Sequence, residues 1–171
     1  MEKKSKKQRL TLLLTRSAIM AALVAVATFL VQIPNPATKG YFNVGDIMIF
    51  VSAITFGPIV GGFAGSVGSA ISDIAGGYGY FAPFTFVIKG VEGILAGLIS
   101  NRSSVLRDGI AVVVAGSEMV AGYYLTEVYL YGIPYALTEV SGNISQVLVG
   151  GLVGIPLGAL LRKRLPETWI K

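Results

Sequence analysis

The sequence contains no cysteine and no histidine among its 171 residues. Without cysteine it can form no disulfide, no thiolate nucleophile and no cysteine-bound metal site. Without histidine it lacks the commonest metal ligand and the commonest acid–base group. It also has no G-x-x-x-x-G-K-[ST] motif, which excludes ATP binding by a P-loop. These absences argue against an enzyme, and we expect no catalytic residues, no metal and no cofactor.

Charged residues are scarce as well. They make up 13% of the chain, whereas 53% of the residues are hydrophobic, and soluble domains are typically about 25% charged. The apolar residues form long runs rather than alternating patterns, which is typical of a protein that crosses the membrane several times. We therefore expect residues 1–171 to form a single all-α integral membrane domain.

Hydrophobic segments number six, and we expect six transmembrane helices. They lie at about 11–33, 45–56, 58–75, 82–100, 108–131 and 140–161. The second segment is too short for a perpendicular span of about 20 residues, so a short, tilted or partly inserted helix is expected there.

Basic residues indicate how the helices are oriented. Eight of the 14 lie in residues 1–10 and 162–164, next to apolar segments, as positive-inside anchors do and unlike a nucleic-acid-binding patch. Arg102 and Arg107 fall in a loop on the same side, whereas the predicted outside loops carry only Lys39 as a basic residue. We expect a multi-pass protein of the cell membrane with both termini cytoplasmic and residues 1–10 as a basic cytoplasmic tail.

Polar and aromatic residues gather near the predicted outer ends of the helices, which suggests a water-accessible pocket that opens outward. The group includes Asn43, Asp46, Asp73, Tyr78, Tyr80, Thr85, Lys89, Tyr123, Glu127, Tyr135, Asn143 and Gln146. Two alternatives stay open: an aromatic belt at the membrane surface for the tyrosines, and solvation of helix ends for the aspartates.

Lys89 and Glu92 are the most unusual of these polar residues. Lys89 lies about 10 Å into its segment at 1.5 Å per residue, and charges inside a span usually face the bundle interior in pairs. The two side chains share a helical face and can neutralise each other. Alternatively, Lys89 donates to a ligand oxygen while Glu92 holds it in place, and Glu118 is another possible partner for Lys89.

Small residues recur at helical spacing in several segments. In the third, fourth and sixth segments we expect the glycines to serve close packing between helices. The first segment differs, because its alanine face, Ala18 and Ala22 with Ala21 and Ala25 alongside, lies on a helix with few other features and could pack on another subunit.

Several motifs resemble those of one transporter family. They are "NVGD" at the start of the second segment, "FGP" before the glycine-rich third, "SDIAGGY" at its end, "APFTFVIKGVEG" in the fourth, and the alanine-rich "SAIMAALVAVA" in the first. Residues 41–99 in particular resemble the substrate-binding S components of energy-coupling factor (ECF) transporters, in the riboflavin-transporter-like branch.

This resemblance implies a six-helix membrane subunit that captures a vitamin from outside. It implies docking through Ala18, Ala22, Ala21 and Ala25 onto a transmembrane T component that sits on two ATP-binding subunits. It also implies that the loop 34–43 gates the pocket. The substrate-binding candidates are Asn43, Asp46, Tyr80, Phe84, Thr85, Lys89, Glu92, Tyr123, Glu127, Asn143 and Gln146.

The identity of the vitamin is less constrained. The lack of histidine argues against the nickel and cobalt members of the family. A small heteroaromatic ring would suit stacking on tyrosine or Phe84, with Lys89, Glu127 and Asn143 as polar anchors. We expect pyridoxine or hydroxymethylpyrimidine first, then riboflavin, then pantothenate or thiamine.

A different class of protein, a stand-alone proton-coupled transporter, could use Lys89, Glu92 and Glu118 for coupling. Such transporters are commonly built from internal repeats with interrupted helices. Residues 1–85 and 86–171 show no convincing repeat, which disfavours this alternative.

Overall fold

The structure is a computed structural model that describes residues 5–35, 38–100 and 104–170. Lys3, Lys4, Pro36 and Arg102, on which the predicted topology partly depends, lie outside the described residues. The helices are α1 (Lys6–Leu30), α2 (Gly45–Phe56), α3 (Pro58–Phe63), α4 (Ser69–Ala75), α5 (Ala82–Ile99), α6 (Val105–Tyr131), α7 (Ile133–Arg164) and α8 (Glu167–Ile170). Two short strands, β1 (Ile33–Pro34) and β2 (Tyr41–Phe42), pair antiparallel between α1 and α2, with Ile33 opposite Phe42.

Among the described residues, four helices are long and apolar enough to cross a membrane, namely α1, α5, α6 and α7. The shorter α2 is an apolar helix of 12 residues and coincides with the second predicted segment. The third predicted segment consists of α3 and α4, which are joined without a break by a π-helical turn, Ala64–Gly68. The described fold is therefore helical, apart from the two-residue strands that the sequence did not predict.

The start of α1 lies earlier than the hydrophobic segment suggested. The Ser5 hydroxyl accepts a hydrogen bond from the Gln8 backbone N–H at 3.3 Å, and the Ser5 N–H donates to Gln8 Oε1 at 2.8 Å. This reciprocal capping box satisfies two N–H groups that a helix start otherwise leaves unpaired. The helix consequently begins at Lys6 and includes part of the predicted basic tail.

The predicted loop between the fifth segment, which ends at about 131, and the sixth, which begins at about 140, is wrong for most of its length. Gly132 alone connects α6 to α7: it adopts a φ of 91°, and its N–H donates to the Val128 carbonyl at 3.0 Å, which ends α6. Pro134 then occupies the first turn of α7, where its missing N–H costs nothing. Since one glycine makes the whole turn, Tyr135 and Glu139 belong to a helix and not to a loop.

Helix α2 lies at the centre of the bundle. Its Ile49 and Phe50 side chains are fully buried, and a Cβ at Gly150 of α7 would lie 3.0 Å from the Phe50 ring. Helices α3 and α5 also approach each other closely, because a Cβ at Gly93 of α5 would collide with the Gly61 carbonyl of α3. Glycines at these crossings let the backbones approach as closely as small residues do in membrane helices.

The two ends of the bundle differ in charge. The basic end carries Lys7, Arg9, Arg107 and Lys163, and here Arg16 Nη2 donates to the Thr168 carbonyl at 3.1 Å. At the same end Arg162 pairs with the buried Asp108, to which the Ser100 hydroxyl also donates at 2.6 Å. The opposite end, at which the paired strands lie, is called the cavity end below.

Candidate functional site

A cavity of about 440 Å³, part of it open to solvent, lies at the cavity end. It is enclosed by the loop that carries β2 and by the adjoining ends of α4, α5, α6 and α7. The residues that line it are Lys39, Gly40, Tyr41, Asn43, Asp73, Tyr78, Phe81, Thr85, Tyr123, Glu127, Glu139, Asn143 and Gln146.

A chain of side-chain amides forms one wall. Asn43 Nδ2 donates to Gln146 Oε1 at 2.5 Å, and Gln146 Nε2 donates to Asn143 Oδ1 at 2.9 Å. Asn43 Oδ1 in turn accepts from the Gly45 backbone N–H at 2.9 Å, at the start of α2. The chain ties α2 to α7 and fixes the orientation of all three amides toward the cavity.

Two buried carboxylates supply acceptors to the cavity. Asp73 on α4 is 2% exposed and Glu127 on α6 is 4% exposed. The Tyr41 hydroxyl donates to Asp73 Oδ1, and burial, reinforced by the neighbouring Asp73, raises the pKa of the Tyr41 phenol, which keeps it a donor. Within the described ranges neither Asp73 Oδ2 nor Glu127 Oε2 has a hydrogen-bond partner. Leaving a buried oxygen without a hydrogen-bond donor destabilises a protein by about 1–3 kcal/mol. A ligand that places donors against these two oxygens would remove that penalty and bind more tightly as a result.

Aromatic rings make up the remaining surface. The centroids of Tyr41 and Tyr78 are 4.5 Å apart, and Phe81 lies 6.4 Å from both Tyr123 and Tyr131. The Tyr123 hydroxyl donates to Thr85 Oγ1 at 3.2 Å, so this ring is held in place by α5. A wall of fixed rings favours a planar aromatic ligand.

The loop between α1 and α2 is held over the cavity by the first turns of α7. Glu139 Oε1 accepts from the Thr38 hydroxyl and from Asn35 Nδ2, the latter at 3.1 Å. The Tyr135 hydroxyl accepts from the Lys39 backbone N–H, and Gly40 lies so close to Glu139 that a Cβ there would be 2.6 Å from Oε1. These contacts close the loop against α7.

Beneath the cavity lies a cluster of three charged side chains. Lys89 Nζ is 2.5 Å from Asp46 Oδ1 and 3.0 Å from Glu92 Oε2, and all three residues are buried. Nζ also lies 5.7 Å from the ring centroid of Tyr123, which lines the cavity, whereas Lys89 does not. The predicted Lys89–Glu92 pair is therefore present, whereas Glu118 makes no ion pair with Lys89 in the described part of the chain. No group of three or more acidic residues in that part is arranged to hold a metal ion.

The predicted binding residues separate into two groups. Six of them line the cavity: Asn43, Thr85, Tyr123, Glu127, Asn143 and Gln146. The other five do not. Asp46, Lys89 and Glu92 form the cluster below, Phe84 is half-buried behind Phe81, and Tyr80 is 48% exposed with its hydroxyl directed to the Lys39 carbonyl.

Seven lining residues were absent from the predicted set: Lys39, Gly40, Tyr41, Asp73, Tyr78, Phe81 and Glu139. Asp73 and Tyr78 were visible as polar residues at the outer end of the third segment. Glu139 falls just before the sixth predicted segment, which starts at about 140, so the sequence predicts a loop position for it. Lys39, Gly40 and Tyr41 lie in the loop 34–43 that the resemblance implies as the gate, and Phe81 lies at the junction of the third and fourth segments, directly before α5.

The alanine face of α1 is divided by the structure. Ala18 and Ala22 are exposed and Ala25 is half-buried. Ala21 is buried. Its carbonyl oxygen lies so close to Gly68 of the π-helical turn that a Cβ on Gly68 would be only 2.5 Å from it. Ala21 thus packs inside the bundle and only the other three are accessible to a partner.

A helical membrane chain with a part-closed, acceptor-rich cavity at one end defines a small-molecule-binding membrane protein. Residues 10–163 match the model of the family described as ECF-type riboflavin transporter, S component. The chain belongs to this family, whose members are subunits of transporters, and the resemblance noted in its motifs is confirmed.

Two relatives are similar to the chain over most of its length. The chain is 46% identical over 143 residues to a Pyrococcus woesei protein described as an uncharacterized protein in the gap 3'region, covering 83% of this chain and 96% of that protein. It is 32% identical over 155 residues to the thiamine precursor transporter HmpT of Lactococcus lactis subsp. cremoris (strain MG1363), covering 88% of this chain and 87% of that protein.

Proposed function

We propose that the protein is the vitamin-binding subunit of an ATP-driven importer in the cell membrane and that its ligand is hydroxymethylpyrimidine. In this proposal the six predicted segments all reside in the membrane, the basic end faces the cytoplasm, and the cavity end faces outward. The positive-inside distribution of the described basic residues supports this orientation.

The observation that carries the proposal is the pair of buried carboxylates with unpartnered oxygens, Asp73 and Glu127. Hydroxymethylpyrimidine is an aminopyrimidine, and its exocyclic amine and hydroxymethyl group are donors that carboxylates accept strongly. Its single planar ring suits the wall made by Tyr41, Tyr78 and Tyr123. The relative named as a thiamine precursor transporter supports the same ligand, because hydroxymethylpyrimidine is the pyrimidine part of thiamine.

Riboflavin is the principal alternative, since the matching family carries its name. Its three fused rings and ribityl chain require far more space than a single pyrimidine. The cavity of about 440 Å³ includes space open to solvent, so its enclosed part is smaller than this figure and suits a single ring better. Pyridoxine would fit by size, but it offers hydroxyl groups rather than an amine to the two carboxylates.

A T component and two ATP-binding subunits are the proposed partners. The exposed Ala18 and Ala22, with Ala25 at the edge, leave a shallow strip on α1 against which another membrane helix could pack closely. Large side chains such as Leu14, Ile19 and Val26 flank the strip and are also exposed, so a partner helix would find apolar contacts on both sides.

The ligand is tested by calorimetric titration of the purified protein with hydroxymethylpyrimidine, pyridoxine and riboflavin. Calorimetry is preferred to tryptophan fluorescence because Trp169 lies in α8, at the basic end and away from the cavity. We expect hydroxymethylpyrimidine to bind most tightly. Tighter binding of riboflavin or pyridoxine would overturn the choice of ligand.

A matched pair of variants tests whether the Glu127 carboxylate contacts the ligand. Glu127→Gln keeps the shape of the side chain but removes its charge. Because hydrogen bonds to charged groups are worth about 1.5–3 kcal/mol, we expect this variant to bind the ligand about 10- to 100-fold more weakly than the wild type. Glu118→Gln, on the same helix but outside the cavity, should bind as the wild type does. Equal affinity in the two variants would show that Glu127 does not contact the ligand.

A further inference from the structure

The charged cluster beneath the cavity is not electrically balanced if all its members are ionised. Asp46 and Glu92 are fully buried and Lys89 is 3% exposed, so two carboxylates face one ammonium. Burying a net charge in the low-dielectric interior is far more costly than burying a neutral set. In a membrane the cost cannot be reduced by water, so the surplus negative charge needs a counterion or a proton.

Among the described residues, the elements that neighbour the cluster supply no second cation. Helix α6 contributes Glu118, a further carboxylate whose Oε2 has no partner within the described residues, and Tyr123, whose ring faces Lys89. Helix α3 and the π-helical turn contain no titratable side chain, and α4 contributes only Asp73, which is bonded to Tyr41. Helix α7 places Gly150 against Asp46. The groups around the cluster therefore add negative charge and no positive charge.

The two carboxylates are not equivalent. Asp46 lies in the first turn of α2, where the helix dipole stabilises an anion, and its Oδ1 is the closer partner of Lys89 at 2.5 Å. Glu92 lies in the middle of α5, so its own helix gives it no such stabilisation. Its Oε2 forms an ion pair with Lys89 at 3.0 Å, and its Oε1, like Asp46 Oδ2, has no hydrogen-bond partner among the described groups.

We propose that Glu92 is a proton-binding site and that the cluster consists of an Asp46–Lys89 ion pair with a neutral Glu92 carboxyl beside it. The cluster then carries no net charge. The ammonium keeps its position behind the Tyr123 ring, and the neutral carboxyl fills the space between α5 and α6. This proposal does not depend on which vitamin the cavity binds.

Infrared difference spectroscopy of the purified protein at neutral pH tests the proposal, since a protonated carboxyl has a C=O stretching band that a carboxylate lacks. Glu92→Gln should lose one such band relative to the wild type. Lys89→Met should gain one, because two carboxylates without a cation would both hold protons. Glu118→Gln is the matched control and should retain the band that Glu92→Gln loses.

Thermal unfolding gives a second readout. Glutamine imitates a neutral glutamic acid, so Glu92→Gln should melt within about 2 °C of the wild type, a shift that corresponds to a minor change in stability for a chain of this size. An unchanged infrared band in Glu92→Gln would overturn the proposal. So would a Glu92→Gln variant that fails to fold or melts far below the wild type, because either result would mean that the cluster requires a charged Glu92.

Discussion

The ammonium of Lys89 lies 2.5 Å from Oδ1 of Asp46, and this buried contact joins the middle of α5 to the first turn of α2. Lys89 is not among the residues that line the cavity, and its Nζ lies 5.7 Å from the ring centroid of Tyr123, which is. We therefore expect Lys89 to have a structural role and the lining residues to contact the ligand.

Lys89→Met should lower stability much more than it lowers ligand affinity. Removing one partner of a buried ion pair costs up to about 3–5 kcal/mol, while the cavity wall keeps its composition. We expect a clear fall in melting temperature and a dissociation constant within about threefold of the wild type, equivalent to less than 1 kcal/mol. Combining Lys89→Met with Asp46→Asn should recover part of the lost stability. A large loss of affinity with an unchanged melting temperature would show that Lys89 contacts the ligand.

Loosening the loop over the cavity should accelerate ligand release. Thr38→Val removes the hydroxyl that donates to Glu139 without altering a lining residue, and Tyr135→Phe removes the acceptor of the Lys39 N–H. A hydrogen bond to a charged group is worth about 1.5–3 kcal/mol, so we expect the Thr38→Val dissociation rate to rise by about tenfold or more in stopped-flow measurements.

The association rate should change less, because the open loop is already the form that admits the ligand. Tyr135→Phe, which loses a bond between neutral groups, should show the smaller effect of the two. Dissociation rates equal to that of the wild type in both variants would argue against a closing function for these contacts.

The crossing of α3 and α5 should tolerate no added methyl group. A Cβ at Gly93 would collide with the Gly61 carbonyl and lie 2.9 Å from the Gly62 nitrogen, and overpacking typically costs about 1–3 kcal/mol. Gly93→Ala should therefore melt several degrees below the wild type.

Gly109 in α6 provides the control, because a Cβ there meets no atom within 4 Å. Replacing a helical glycine by alanine at such a site favours the helix by up to about 1 kcal/mol. Gly109→Ala should be as stable as the wild type or more so. If the two variants melt at the same temperature, the close approach of α3 and α5 does not contribute to stability.

The accessible strip on α1 should be required for uptake and dispensable for ligand binding. Ala18→Trp combined with Ala22→Trp places bulk on an exposed surface, so the isolated protein should fold and bind its vitamin normally while uptake into cells falls. Ala21→Trp is the contrasting variant: Ala21 is buried, so the indole should destabilise the protein itself. Unchanged uptake in the double variant would rule out docking through this strip.

The helical segments could be placed from the sequence with good accuracy. The second and third segments coincide with α2 and with the continuous α3–α4 segment, because Gly57 and Pro58 separate them and an apolar run defines each. The loop before α7 was misplaced, since glycine and proline mark a turn without stating its length. The count of six membrane crossings and the sidedness of the termini stay predictions.

The candidate site could be predicted only in part. Polar residues at one end of the bundle were recognised, and six of them line the cavity. Glu139 and Tyr41 were not, because their positions depend on the two-residue strands and on the single-residue turn at Gly132.

The sequence determined that no cysteine or histidine chemistry is possible, and its long apolar runs predicted helices that cross a membrane. The spacing of Lys89 and Glu92 determined that they share a face of one helix. Only the tertiary structure decided that Asp46, from a different helix, is the closer partner of Lys89, and that Asp73 and Glu127 face a common cavity. The reason is geometric: sequence spacing specifies which residues share a face of a helix, whereas the rotation of each helix against its neighbours is set by packing around the glycines at their crossings.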